Sequence, residues 1–96
     1  MMSVEERKEI YKKIFEKNGP EYQAAICIEE CAELTKELTK YIRGKANRMK
    51  VAEEIADVIL CVYSLINYFE FEEDVKLFFD FKMQRLKHFY VEGDEK

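Results

Sequence analysis

Residues 48–69 read RMKVAEEIADVILCVYSLINYF. The apolar residues of this stretch recur at helical spacing and cover well over half of a helix at about 100° per residue. They are Val51, Ile55, Val58, Ile59, Leu60, Val62, Leu65, Ile66 and Phe69. Neighbouring helices must cover such a helix on most sides, and a small chain supplies few of them. We therefore predict an all-α, four-helix-bundle-like protomer that oligomerises through its helices.

The segments on either side predict the remaining helices within one domain, residues 1–96. The predicted helices run from about residue 4 to 17, 20 to 42, 48 to 69 and 73 to 91. Ser3 and Glu6 form a capping-box pattern, and Asn47 is a candidate N-cap. Gly44 suits the position after a helix end, in the basic turn that joins the second and third helices.

Composition narrows the functional class. The net charge of −4 argues against a nucleic-acid partner, which a basic surface would favour. No stretch is long enough to span a membrane and no apolar signal core follows the N-terminus, so we expect a cytoplasmic protein. Cys27, Cys31 and Cys61 form no CxxC pair and lie in apolar helical surroundings. They are interpreted as reduced, buried thiols and not as a disulfide or zinc site.

Two acidic pairs are the candidate functional residues. Glu30 and Glu33 lie three residues apart on the second predicted helix, and Glu54 and Asp57 have the same spacing on the third. Both members of each pair project from one helix face. The first pair borders the apolar face and the second lies within it. A helical hairpin would bring the two pairs together.

Carboxylates crowded in this way repel one another, and a divalent cation removes that repulsion. The ligands are oxygen only, because His88 has no ligand-spaced partner. Oxygen ligands favour Mg²⁺, with Mn²⁺ as the alternative, and Mg²⁺ usually completes its shell with water and phosphate. A single Glu-x-x-Glu pair is usually a solvated face, so spacing alone leaves both interpretations open.

The last predicted helix offers a basic counterpart to the acidic pairs. Lys82 lies within an apolar stripe and Arg85 lies at its edge. Both are candidates for binding phosphate. Lys82 can instead pack its stem and keep its ammonium in water. The aromatic residues of this helix favour core or dimer contacts over base stacking.

The strings Glu-Glu-Cys-Ala-Glu-Leu (29–34) and Glu-Glu-Ile-Ala-Asp-Val-Ile-Leu (53–60) resemble the two helical motifs of the all-α nucleoside triphosphate pyrophosphatases. These are the MazG-like proteins, with dimeric dUTPases and phosphoribosyl-ATP pyrophosphatases as relatives. The resemblance covers roughly residues 22 to 90 and includes Lys82-Met83 on the fourth predicted helix.

The resemblance implies Mg²⁺-dependent hydrolysis of a nucleoside triphosphate to its monophosphate and pyrophosphate by a homodimer or homotetramer. It assigns metal binding and catalysis to Glu30, Glu33, Glu54 and Asp57. The motif departs from many relatives at Leu86, where they carry Asn, and at Phe89, where an arginine is common. These departures leave open a non-catalytic module that binds a nucleotide or a partner helix. A di-iron carboxylate bundle is disfavoured because its histidine ligands are missing.

Overall fold

A computed structural model describes residues 1–45 and 47–93, and these residues are all-helical, with no strand. The helices are α1 (Val4–Asn18), α2 (Pro20–Ile42), α3 (Arg48–Phe69) and α4 (Glu72–Tyr90). The all-α prediction is confirmed, and every predicted helix end agrees with the structure to within one residue. Ala46, within the predicted basic turn, and residues 94–96 of the tail lie outside the described residues.

Local hydrogen bonds explain where the helices begin and end. The Glu6 amide donates to Ser3 Oγ at 3.1 Å, and the Ser3 amide donates to Glu6 Oε1 at 3.2 Å, which completes the predicted capping box. Asn47 Oδ1 accepts from the Met49 amide at 2.7 Å and caps α3. Gly44 has φ of +72°, which suits glycine after the end of α2.

Helices α2 and α3 form the framework of the molecule. They pack along their lengths as an antiparallel hairpin across the short segment that joins Ile42 to Arg48. Helix α1 lies against both helices. Its Phe15 is buried and stacks on Tyr68 of α3 with ring centroids 3.9 Å apart. The hairpin therefore fixes which faces of α2 and α3 meet.

Helix α4 departs from the predicted bundle. Glu70 adopts a left-handed conformation that ends α3, and α4 then leads away from the hairpin. Among the described residues, only α3 has α-carbons within 8 Å of those of α4. Every residue of α4 except Phe89 is exposed. Within the part of the chain that the structure describes, the aromatic residues of α4, predicted to make core or dimer contacts, are therefore largely left uncovered.

An apolar groove of about 440 Å³ lies between α1, the end of α3 and the start of α4. Its apolar walls include Tyr11, Tyr63, Val75 and Phe79. None of the four carboxylates predicted to bind metal lines this groove.

None of the described helices has the length and apolar character needed to cross a membrane.

Candidate metal centre

The buried positions of α2 and α3, whose interface is the most extensive between the described helices, are mostly polar. Gln23 and Glu37 of α2 and Glu54 and Ser64 of α3 are all buried. The described residues offer little buried apolar surface to compensate, because among their apolar side chains only Phe15, Cys27 and Val51 reach the same degree of burial. Polar groups thus occupy positions that apolar side chains fill in an ordinary helical hairpin.

Three carboxylates converge at the middle of this interface. Glu30 of α2 and Glu54 and Asp57 of α3 each offer one oxygen, and these oxygens all lie within 4.8 Å of one another. Glu54 is 5% exposed, while Glu30 and Asp57 are half-buried. We call these residues the carboxylate triad. The predicted approach of α2 and α3 carboxylates across the hairpin is confirmed for these three.

The triad perturbs the ionisation of Glu30. Partial burial raises the pKa of the Glu30 carboxyl above its ordinary value, and the nearby charges of Asp57 and Glu54 raise it further. A hydrogen bond with Asp57 acts in the same direction. A bound cation would oppose the repulsion from Asp57 and Glu54, because it stabilises each carboxylate in its ionised form.

A lysine of α3 already supplies one positive charge to the triad. Lys50 Nζ lies 3.1 Å from Glu54 Oε1 and 3.1 Å from Glu53 Oε1. Hydrogen bonds to Glu53 and Glu54 raise the pKa of Lys50 well above its ordinary value. Sequence reasoning missed Lys50, although its i, i+4 spacing to Glu54 was the available signal.

The remaining predicted carboxylate, Glu33, is exposed. It is not among the three whose oxygens converge, so its part in metal binding stays a prediction. Glu29 and Glu53 were expected to face solvent, and both are exposed. Burial falls instead on Glu37, one turn further along α2, whose Oε2 lies 3.8 Å from Lys40 Nζ.

The structure places Lys82 and Arg85 on the exposed surface of α4. No α-carbon of α4 lies within 8 Å of an α-carbon of α2 in the described residues. The packing of α2 against α3 therefore brings the triad together but does not bring Lys82 or Arg85 to it. Their assignment to phosphate binding stays a prediction.

The thiols beside the triad differ from expectation. All three cysteines are free, but Cys27 alone is buried, Cys61 is half-buried and Cys31 is exposed. The prediction of three buried thiols is therefore wrong for Cys31. Partial burial raises the pKa of Cys61 to about 11, and the charges of Cys27, Glu30 and Asp57 add to the effect.

The chemistry of the triad fits a hard divalent cation. It offers carboxylate oxygens only, and Mg²⁺ and Mn²⁺ favour such ligands over imidazole or thiolate sites. The buried position of Glu54 gives one of these carboxylates a fixed setting, whereas exposed acidic clusters lack that support.

In comparisons with known proteins, no protein family, no curated protein and no solved structure matches this chain.

Proposed function

We propose that the protein is a cytoplasmic, Mg²⁺-dependent pyrophosphohydrolase that converts a nucleoside triphosphate to its monophosphate and pyrophosphate. The convergence of Glu30, Glu54 and Asp57 carries the proposal, because ionised carboxylates whose oxygens lie within 4.8 Å of one another repel, and a divalent cation relieves that repulsion. The resemblance of the two acidic motifs to the all-α pyrophosphatases supplies the reaction. Both supports rest on the same residues.

In this proposal the triad holds the cation, and Glu33 is the fourth candidate ligand. A bound divalent cation supplies positive charge that neutralises phosphate oxygens and lowers the pKa of water. Mn²⁺ is the expected substitute for Mg²⁺, since both favour oxygen ligands. The chain itself contributes the fixed position of these carboxylates on two packed helices.

The hydrolytic step is a displacement at the α-phosphorus. A water oxygen forms the new bond to that phosphorus, and the bond to the oxygen that bridges the α- and β-phosphorus atoms breaks. Pyrophosphate leaves with the bridging oxygen. A carboxylate of the cluster is suited to accept the proton of the attacking water.

Lys50 has two tasks in this proposal. Its ammonium neutralises Glu54 when no metal is bound, since it lies 3.1 Å from the Glu54 carboxylate. If a cation bound the Glu54 carboxylate, the Lys50 ammonium would be free to pair with a phosphate oxygen of the substrate. Lys82 and Arg85 are the further candidates for phosphate binding. Within one chain, however, the described part of α4 does not pack against α2, which carries Glu30 of the triad.

That separation favours a second candidate function. A chain that keeps the carboxylate triad but positions no second group of cations near it can bind a nucleotide–metal complex without hydrolysing it. Lys82 and Arg85 on exposed α4 motivate this alternative. Both functions require metal binding, but only the enzyme releases pyrophosphate and monophosphate.

A panel of ribo- and deoxyribonucleoside triphosphates tests the enzymatic proposal. The expected result is Mg²⁺-dependent release of pyrophosphate and monophosphate in equal amounts from at least one member. Glu54→Gln should reduce the rate by at least about 100-fold. Removal of a residue that only supports a metal ligand costs up to about 100-fold, and removal of a ligand itself should cost at least as much. Glu53→Gln is the matched control, because Glu53 bonds the same lysine but is exposed and outside the triad.

Two results would count against the enzyme. Metal-dependent nucleotide binding without any pyrophosphate release would favour the non-catalytic module. Equal activity in Glu54→Gln and in the unmodified protein would remove the triad from the reaction, and circular dichroism of the variant would show whether its helices are retained.

A further inference from the structure

Two adjoining apolar cavities lie along α1 and α3. The groove between α1, α3 and α4 meets a second cavity of about 530 Å³, which α1 and α3 line with Met2. The two cavities share Arg7, Tyr11 and Tyr63 as wall residues. Along α3 their walls run from Ala56 to residue 67, a distance of about 16 Å at the rise of an α-helix. We call the two cavities together the apolar trough.

The apolar trough is separate from the carboxylate triad. Counting 100° per residue, Ile59 and Tyr63 of the trough lie roughly 120° to 180° around α3 from Glu54 and Asp57. No residue of the triad lines either cavity. A molecule bound in the trough would therefore leave the proposed metal centre untouched.

The shape and the walls of the trough suit an extended apolar chain. Its walls include Ile59, Leu60, Ile66 and Val75, and Asn67 carries its only uncharged amide side chain. A sugar or a peptide would lose its hydrogen bonds to water in such a place and regain few of them. A hydrocarbon chain loses none, and it gains from every methylene that leaves water.

The charges beside the trough complement an anion. Arg7, Lys8 and Lys76 line it, and the one acidic wall residue, Glu72, lies 3.9 Å from Lys8 Nζ. Arg7 and Lys76 take part in no ion pair within the described part of the chain. This local excess of positive charge contrasts with the net charge of −4 for the whole chain, and it favours a negatively charged ligand.

We propose that the apolar trough binds a long-chain carboxylate, such as a free fatty acid. Its carboxylate pairs with Arg7 and Lys76, and its hydrocarbon chain lies along α3 towards Ala56. The guanidinium of Arg7 offers the paired donors that suit a carboxylate, and Arg7 borders both cavities. Such a site needs neither a metal ion nor a nucleotide, so it is independent of the proposed hydrolysis.

A fluorescent carboxylate tests the ligand class. Dansylaminoundecanoate is titrated, as a monomer in solution, into the full chain in the presence of EDTA. Its emission should show saturable binding of one probe per chain. Laurate should displace the probe, whereas methyl laurate lacks the negative charge and acetate lacks the apolar chain, so both should displace it poorly.

Variants on two sides of the trough test the location. Arg7→Gln should weaken laurate binding about tenfold or more, the scale of a lost hydrogen bond to a charged group. Lys17→Gln is its control, because Lys17 is an exposed cation of α1 that lines neither cavity. Ala56→Trp fills the apolar end and should also weaken binding. Ala25→Trp, on the exposed surface of α2, should not. Circular dichroism checks that each variant keeps its helices.

Four results would overturn the proposal. They are absence of saturable binding, equal displacement by laurate and methyl laurate, unchanged affinity in both Arg7→Gln and Ala56→Trp, and binding that weakens as the protein concentration rises. The last result would show that a second copy of the chain fills the trough. Association with phosphatidylglycerol vesicles without binding of monomeric laurate would assign the trough to a membrane surface and overturn the proposal as well.

Discussion

Lys50 Nζ lies 3.1 Å from Glu54 Oε1, so the most buried carboxylate of the triad is already paired with a cation of its own helix. The same ammonium lies 3.1 Å from the exposed Glu53. An exposed ion pair contributes little to stability because water and salt screen it. Loss of the partner of a buried charge is costly, since the remaining charge has neither water nor a counterion. Lys50 therefore stabilises the folded protein through its pair with Glu54 and not through its pair with Glu53.

Lys50→Met should lower the melting temperature of the metal-free protein, because it leaves the Glu54 charge buried beside Glu30 and Asp57. Lys13→Met is the matched control. Lys13 also pairs with two glutamates, at 3.9 Å and 3.7 Å, but both of these are exposed. Differential scanning calorimetry at pH 7 should show a clearly larger decrease for Lys50→Met. Equal decreases would mean that the Lys50–Glu54 pair is no more than a surface contact.

Glu30→Gln should raise the melting temperature of the metal-free protein at pH 7 by a few degrees. The pKa of the Glu30 carboxyl is raised in the folded state above its ordinary value of 4.5. The folded state therefore binds the Glu30 proton more tightly than the unfolded state does. The stability from this group is complete below pH 4.5 and is lost as the pH rises through the raised pKa.

The pH dependence provides the check on Glu30. The gain from Glu30→Gln should shrink towards zero near pH 4, where the carboxyl of the unmodified protein is protonated. Glu29→Gln should give a smaller gain, because Glu29 is exposed and is the weakest of the neighbours that raise the Glu30 pKa. A gain independent of pH, or a loss at pH 7, would show that the triad charges do not repel as described.

Glu33→Gln should weaken Mg²⁺-dependent activity less than Asp57→Asn does. Glu33 is exposed and lies outside the triad, whereas an Asp57 oxygen lies within 4.8 Å of those of Glu30 and Glu54. A loss of roughly 10- to 100-fold for Glu33→Gln is the scale expected of a residue that supports a ligand without being one. Equal losses in kcat/KM for both variants would place Glu33 among the ligands.

Cys61 should resist alkylation at pH 8. A pKa raised to about 11 leaves almost no thiolate, so iodoacetamide should react with Cys61 on the order of 100-fold more slowly than with an ordinary cysteine. Cys31 is exposed and should be modified first. Mass spectrometry of timed digests measures both rates, and unfolding in urea should make Cys61 react quickly. Fast modification of Cys61 in the folded protein would contradict the burial and the acidic surroundings described for it.

The helices could be predicted from sequence because local chemistry sets their ends. Ser3, Glu6 and Asn47 form the same caps in the structure as their spacing predicts. Glu54 was assigned correctly to the buried face, since the apolar arc of α3 leaves little doubt about its direction. These residues act through neighbours at most a few positions away in the chain.

The details of α2 required the structure. Its apolar pattern is weaker, so the contact with α3 decides which carboxylates are buried. In the folded chain Glu37 is buried and Glu33 is exposed. The position of α4 was equally inaccessible, because an apolar stripe shows that a helix is covered but not which chain covers it. Lys82 was interpreted as a phosphate-binding counterpart of the acidic pairs, and its α-carbon lies more than 8 Å from those of α2 in the described chain.

Direct titration with Mn²⁺ gives the strongest test of the carboxylate triad as a divalent-cation site. Electron paramagnetic resonance reports free Mn²⁺, and the titration needs neither a substrate nor an assumed reaction. The unmodified protein should remove Mn²⁺ from solution, Mg²⁺ should compete, and Glu54→Gln should reduce binding by at least about tenfold. Glu53→Gln should bind as the unmodified protein does. Absence of binding by the unmodified protein, with and without a nucleoside triphosphate, would contradict the metal centre and the hydrolytic function built on it.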